Sequence, residues 1–92
     1  MIRTFRHRGL KQIYEQGDSS KVRADQVERI AIALADLDDA GKPQDLHFPG
    51  YRLHPLKGDR KGFWSIWISD NWRITFRFEG GDAYDVDLVD YH

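Results

Sequence analysis

The sequence contains no cysteine, so it can form neither disulfide bonds nor thiolate metal sites. No apolar run is long enough for a signal peptide or a membrane span. There is also no glycine-rich phosphate loop, no serine on a strand-to-helix elbow and no internal repeat. These absences favour a soluble protein of the reducing cytoplasm, and we expect no membrane association.

The length of 92 residues predicts one domain that spans residues 1–92. A chain of this size buries about 60 to 70% of the surface that it exposes when unfolded. One layer of helices against one sheet satisfies that limit.

Charge is segregated along the chain although the net charge is only −1. Residues 1–23 carry six Lys or Arg and two acids, and residues 24–49 carry two and six. Residues 50–78 again carry six and two, whereas residues 79–92 carry none and five. Such blocks either create a positive and a negative face or pair across the fold, and the sequence leaves both alternatives open.

Two segments show the 3.6-residue period of amphipathic helices. In residues 8–16, apolar side chains recur at helical spacing, and Gly17 follows as a stop. Residues 24–39 carry an apolar stripe at i, i+3, i+4, i+7 and i+10, and Gly41 with Pro43 ends the helix. The stripe consists of Val27, Ile30, Ala31, Leu34 and Leu37.

The period changes to two after residue 50, which predicts strands at 63–69, 71–78 and 82–89. "MIRTF" and "YRLHPL" read as further short strands, the second at an edge because of Pro55. For the apolar side chains of two paired strands to share a face, the connection between the strands must hold an odd number of residues. We therefore expect three-residue loops, Ser69–Asn71 in the first hairpin and one around Gly80 and Gly81 in the second. The prediction is an α+β fold, with two N-terminal helices on one face of a mainly antiparallel sheet of four to five strands.

Phase matching between helix and strand patterns predicts the core and the two faces of the sheet. The expected polar face carries Arg73, Thr75 and Arg77 opposite Asp85 and Asp87, and Tyr84 is expected on the apolar face with Val86 and Leu88. The residues expected to be buried together are Ile30, Leu34, Trp64, Ile66, Ile74, Phe76 and Val86.

The residues that carry chemistry lie on this polar face and at the ends of its strands. Taken singly, each has a structural interpretation: His54 as a surface histidine, Lys57 as loop charge, Arg73 as an ion-pair partner of Asp87, and 90–92 as a frayed end. Taken together they supply two imidazoles, a phenol and cations, which suit RNA cleavage by attack of the 2′-hydroxyl. The other histidines, His7 and His47, have no second ligand at a useful spacing, so we expect no metal.

Two stretches, "LHPLKGDRKGFWSIWISDNWRITFRF" and "GDAYDVDLVDYH", resemble the HigB toxins of the RelE/ParE superfamily. The resemblance implies a RelE-like fold and a ribosome-dependent mRNA endonuclease without metal or cofactor. It implies as partners the ribosomal 30S A site, mRNA and a HigA-like helix-turn-helix antitoxin, with DNA contacted only through the antitoxin. The implied catalytic residues are His54, Asp90, Tyr91 and His92, and the implied phosphate-binding residues are Arg73 and Lys57.

Two alternatives remain within this fold. One is a ParE-like toxin that poisons gyrase and cuts no RNA, although the pair His54 and His92 favours a nuclease. The other is a non-catalytic module that only binds a partner. For the antitoxin that the resemblance implies, the basic N-terminal segment is a candidate surface to meet an acidic partner face; it contains Arg3, Arg6, Arg8 and Lys11.

Overall fold

In the computed structural model, which describes residues 1–91, two helices are followed by four strands. The helices are Arg8–Gln16 (α1) and Val27–Asp39 (α2), and a short 3₁₀ turn, Ala24–Gln26, leads into α2. The strands are His54–Pro55 (β1), Trp64–Ser69 (β2), Trp72–Glu79 (β3) and Asp82–Asp90 (β4). They form one antiparallel sheet in the order β1-β2-β3-β4. The predicted α+β class is confirmed.

The first helix has a signal at each end. His7 is the N-cap, and its Nδ1 accepts a hydrogen bond from the Leu10 N–H at 3.2 Å. Gly17 ends α1 in the left-handed conformation, with φ of 69°, and its N–H bonds the Ile13 carbonyl. The sequence predicted both bounds of α1 but gave His7 no role.

The buried face of α2 is shifted from the predicted stripe. Ile30, Leu34 and Leu37 are buried as expected, but Ala31 is exposed and Ala33 is buried instead. The buried set therefore follows i, i+3, i+4 and i+7 from Ile30, which is the regular face of a helix packed on a sheet.

The first hairpin turn is shorter than predicted. Ser69 pairs directly with Trp72, so the turn holds two residues rather than three. A register shift between Trp67 and Ser69 places the extra residue inside β2. The parity requirement is met, but by a bulge in the strand instead of by the loop.

The second hairpin shows the same device and overturns one face assignment. Glu79 pairs with Asp82 across a two-residue turn, whose Gly80 and Gly81 both have positive φ. Arg77 pairs with Tyr84, whose ring lies 4.9 Å from the Arg77 guanidinium carbon, and the register shifts only after this pair, where β4 has one extra residue before Asp87. Tyr84 is therefore on the polar face, so the prediction that it shares a face with Val86 is wrong.

The N-terminal arm runs parallel to β4 as a partial fifth strand. Bridges join Ile2 to Ala83 and Phe5 to Val86, and the Arg3 N–H donates to the Ala83 carbonyl at 2.7 Å. Asp38 of α2 binds both the arm and α1, because it accepts from the Ile2 N–H at 3.0 Å and from the Tyr14 hydroxyl of α1 at 2.6 Å. These bonds, the Tyr14 hydroxyl foremost, lower the pKa of Asp38 below its ordinary value.

The core lies between the helices and one face of the sheet. Trp64 is only half-buried, at the margin of this core, whereas the other residues predicted to be buried together are buried. Ser65 and Thr75 are buried as well, on the opposite face, because the β1–β2 connection covers them and Arg60 Nη2 donates to Thr75 Oγ1 at 3.2 Å. The sheet face opposite the helices is thus partly covered by the β1–β2 connection.

The oppositely charged chain segments pair across the fold. Arg3 contacts Asp82 at 2.9 Å, and Arg6 lies 3.9 Å from Asp85. The alternative in which the blocks neutralise one another is confirmed for the arm and β4. Between residues 1 and 91, no helix has the length and apolar character needed to cross a membrane.

Candidate active site

A polar cavity of about 510 Å³ lies on the sheet face turned away from the helices. The predicted site residues His54, Arg73 and Tyr91 come together in its lining. The remaining lining residues are Arg52, Leu56 and Ser65.

Strand pairing fixes the position of His54. It lies opposite Ser65 in the register of β1 with β2, and Pro55 lies opposite Trp64. The Leu56 N–H donates to the Phe63 carbonyl at 2.8 Å, so the pairing continues past Pro55. Pairing with β2 fixes the backbone of His54, and its exposed side chain lines the cavity.

Arg73 does not form the cross-strand ion pair with Asp87 that was the structural alternative to phosphate binding. It lies between Trp67 of β2 and Val89 of β4, while Asp87 lies opposite Thr75. Its Nη1 atom is buried and has no hydrogen-bond partner within residues 1–91. A buried, unpaired donor on a cation is unfavourable by itself, and an anion that entered the cavity would satisfy it.

The chain beyond β4 is held beside the sheet. Asp90 ends the strand opposite Trp72, and the Tyr91 N–H donates to the Asn71 carbonyl at 2.8 Å. The Tyr91 ring lines the cavity and remains 37% exposed. His92 lies outside the described residues. The interpretation of residues 90 and 91 as a frayed end is wrong.

Two cations of the β1–β2 connection have different positions. Lys57 is exposed and does not line the cavity. Arg60 is turned toward the sheet, where its guanidinium carbon lies 4.8 Å from the Phe63 ring and its Nη2 donates to Thr75 Oγ1. The structure therefore brings neither of these two cations into the cavity lining.

Arg52 is a lining residue that the sequence analysis missed. It lies two residues before His54, but its left-handed backbone does not continue the extended conformation of β1, so the alternation of side chains along a strand could not identify it.

A larger cavity, of about 600 Å³, lies beside α2. Its lining is mainly apolar and aromatic, and it includes none of the predicted site residues. The smaller polar cavity is the better candidate because the titratable and cationic groups converge there. In the described part of the chain, no three His, Asp or Glu side chains cluster as ligands of a metal ion would.

Comparison with known proteins agrees with this architecture. Residues 3–92 match a family model described as the RelE-like toxin of the type II toxin–antitoxin system HigB. The chain is 50% identical to Endoribonuclease HigB of Proteus vulgaris over 92 residues, which is all of both chains. It is 28% identical to Toxin HigB-1 of Vibrio cholerae serotype O1 over 90 residues, covering 96% of this chain and 95% of the other.

Two solved structures share the fold at low sequence identity. A YafQ variant from E. coli superposes with a TM-score of 0.63 at 13% identity, covering 98% of this chain and 93% of that chain. A YoeB/ParE toxin from Agrobacterium tumefaciens superposes with a TM-score of 0.56 at 21% identity, covering 100% and 99%. On the whole-length family match and the 50% identity, the chain belongs to the HigB family of RelE-like toxins of type II toxin–antitoxin systems.

Proposed function

We propose that this toxin is a ribosome-dependent endoribonuclease that cleaves mRNA by attack of the 2′-hydroxyl. The observation that carries the proposal is the cavity in which His54 and Tyr91 meet Arg73, whose buried Nη1 atom has no hydrogen-bond partner among residues 1–91. The name of the Proteus vulgaris relative, Endoribonuclease HigB, supports the same activity.

The chemistry asks three things of the protein. The 2′-hydroxyl must be aligned with the scissile bond, one group must take its proton while another protonates the 5′ leaving oxygen, and cations must stabilise the phosphorane. Because the nucleophile belongs to the RNA, the mechanism needs no metal ion or cofactor. Imidazoles in general suit both proton transfers at neutral pH.

The candidate residues include a group for each of these tasks. His54 and His92 are the two groups that transfer protons, and Asp90 orients an imidazole. Arg73 binds the scissile phosphate through its free donors. Tyr91 stacks on a base or supports the phosphate, and Lys57 adds positive charge at the rim.

The proposal extends to partners and location. A type II toxin has an antitoxin partner, and we assign it the HigA-like helix-turn-helix class, with DNA contacted only through that antitoxin. The toxin acts in the cytoplasm, at the 30S A site. Arg3 and Arg6 are already paired with Asp82 and Asp85. The exposed cations of α1, Arg8 and Lys11, are thus the better candidates to attract an acidic antitoxin surface.

Mapping of mRNA 5′ ends in a translating extract tests this function. Added toxin should produce new ends within codons at the ribosomal A site, including at EDTA levels that leave ribosomes intact. DNA damage in cells without mRNA cuts would instead support the gyrase-poisoning alternative. Neither effect would favour the non-catalytic binding module.

A further inference from the structure

Arg52 places a second guanidinium in the proposed RNA cavity. It lines the cavity together with His54 and Arg73, and its side chain is exposed. Among residues 1–91, no carboxylate forms an ion pair with it. Within the described part of the chain, the cavity therefore contains two arginines that form no ion pair with a carboxylate, which suits a polyanion.

The backbone at Arg52 is unusual for its residue type. Its φ of 48° and ψ of 49° lie in the left-handed region. The other described non-glycine residues with positive φ, Asp70 and Asp85, are of a type that tolerates this region. Glycine would adopt it without strain, so the sequence keeps a long cation where the backbone alone favours glycine.

Trp67 holds the Arg52 side chain in place. The Arg52 guanidinium carbon lies 4.6 Å from the Trp67 ring centroid, within the range of a cation–π contact. The indole is itself fixed, because its Nε1–H donates to the Asp70 carbonyl at 2.8 Å. Stacking occupies one face of the guanidinium but leaves its in-plane N–H groups free to bind a phosphate.

We infer that Arg52 binds a phosphate of the mRNA in this cavity and that Trp67 is its positioning residue. The inference rests on the proposed function. Preorganisation by Trp67 reduces the side-chain entropy that Arg52 loses on binding, so the platform strengthens the contact without touching RNA itself. Arg52 and Arg73 would then hold the RNA backbone at two points of one cavity.

Affinity for stalled ribosomes tests Arg52 separately from catalysis. The probe is a ribosome carrying mRNA with a 2′-deoxy nucleotide at the scissile position, which is bound but not cut. Arg52→Gln should weaken binding about tenfold, and the slope of log affinity against log salt should fall by about 0.7. Arg8→Gln removes the same charge from exposed α1 and should change neither value.

Two further experiments show which phosphate Arg52 binds and whether a loss of affinity comes from a loss of stability. On ribosomes whose mRNA ends before the A site, Arg52→Gln and the parent should bind equally, because the contact is to mRNA rather than to ribosomal RNA. Arg52→Gly should lose as much affinity as Arg52→Gln, while its free energy of unfolding stays equal or rises.

The positioning role of Trp67 has its own signature. Trp67→Leu should weaken binding to a similar extent, and Trp67→Phe, which keeps a ring, should restore most of the loss. Combining Trp67→Leu with Arg52→Gln should add little, since both remove one interaction.

The outcomes separate the inference from the function on which it rests. If the parent toxin cuts programmed ribosomes but Arg52→Gln binds them as tightly as Arg8→Gln does, the inference is overturned and the function stands. An undiminished Arg52 effect on ribosomes without A-site mRNA also overturns it. A parent that neither binds nor cuts programmed ribosomes overturns both.

Discussion

At the residue scale, the register between strands decides whether a charged side chain has an ion-pair partner. The sequence placed Arg73 correctly on the polar face, but it offered Asp87 as an ion-pair partner. The register of β3 with β4 puts Val89 opposite Arg73, so that pair does not form. The unpaired Nη1 of Arg73 gives its predicted phosphate role a physical basis that the sequence alone could not supply.

The unpaired guanidinium of Arg73 predicts opposite effects on stability and activity. Arg73→Met removes a buried donor that has no partner, so the free energy of unfolding should stay equal or increase. Cleavage of ribosome-bound mRNA should fall sharply. Arg73→Lys should also lose much of the rate, since an ammonium cannot copy a bidentate contact. Urea unfolding and single-turnover cleavage measure the two effects.

Arg23→Met is the matched control for Arg73→Met. Its guanidinium is exposed, pairs with Asp25 and does not line the cavity, so cleavage should not change. Full activity in Arg73→Lys and Arg73→Met would contradict the phosphate role.

At the element scale, the spacing of apolar residues and the glycine, proline and turn residues between segments were enough to predict the helices and the three long strands. Their bounds in the structure differ from the predicted ones by three residues or fewer. What could not be predicted was the site of each extra residue in the hairpins, because a bulge and a longer loop satisfy parity equally well. That difference put Tyr84 on the polar face. The parallel docking of the arm on β4 could not be predicted either, because it depends on residues that are distant in the sequence.

The contacts that α1 and the N-terminal arm make with Asp38 of α2 should depend on pH. Hydrogen bonding lowers the pKa of Asp38, so its stabilising effect is complete above its ordinary value of 3.8 and is lost as pH falls through the lowered value. Tyr14→Phe removes the largest contribution, and should cost about 1.5 kcal/mol at neutral pH. The parent and the variant should converge in stability at the acid end.

Denaturant unfolding of the parent and of Tyr14→Phe, at neutral pH and at a pH below the lowered pKa of Asp38, measures the difference in stability at each pH. Tyr84→Phe is the matched control, because no hydrogen bond from its hydroxyl is present in the described residues. A stability gap between Tyr14→Phe and the parent that is constant with pH would argue against the Asp38 contact.

The segment after β4 should contribute to cleavage more than to folding. Removing Tyr91 and His92 deletes one cavity residue and one proposed proton-transfer group, but takes away only one described backbone bond, from Tyr91 to Asn71. We expect loss of ribosome-bound mRNA cleavage with little change in thermal midpoint. A shortened protein that cuts at the parent's rate would return this segment to the status of a tail.

At the scale of the whole molecule, the charge blocks are partly neutralised by folding. The arm and β4 pair through Arg3 and Asp82, and the cations of the cavity remain available. The sequence could show the blocks but not which of its two alternatives applied, because that depends on which segments become neighbours. The proposed active-site residues came from family resemblance, and Arg52 was not among them because the ring that it contacts, Trp67, lies 15 positions along the chain.

The exposed cations of α1 predict an electrostatic effect on antitoxin association. Charge reversal at Arg8 and Lys11 should lower the association rate at low salt and leave the dissociation rate nearly unchanged. Stopped-flow mixing with the antitoxin measures both. Reversal at Lys61, exposed in the β1–β2 connection, serves as the control. An association rate insensitive to the α1 charges would place the antitoxin elsewhere.

The most direct test of the proposed active site is the single-turnover cleavage rate of one ribosome-bound mRNA by His54→Ala and by His47→Ala. Both histidines are exposed, but only His54 lines the cavity. His54→Ala should reduce the rate about 10²- to 10⁴-fold, as expected for loss of a general acid or base, with unfolding unchanged. His47→Ala should cut at the parent's rate. Cleavage by His54→Ala at the parent's rate would contradict the assignment of this cavity as the active site.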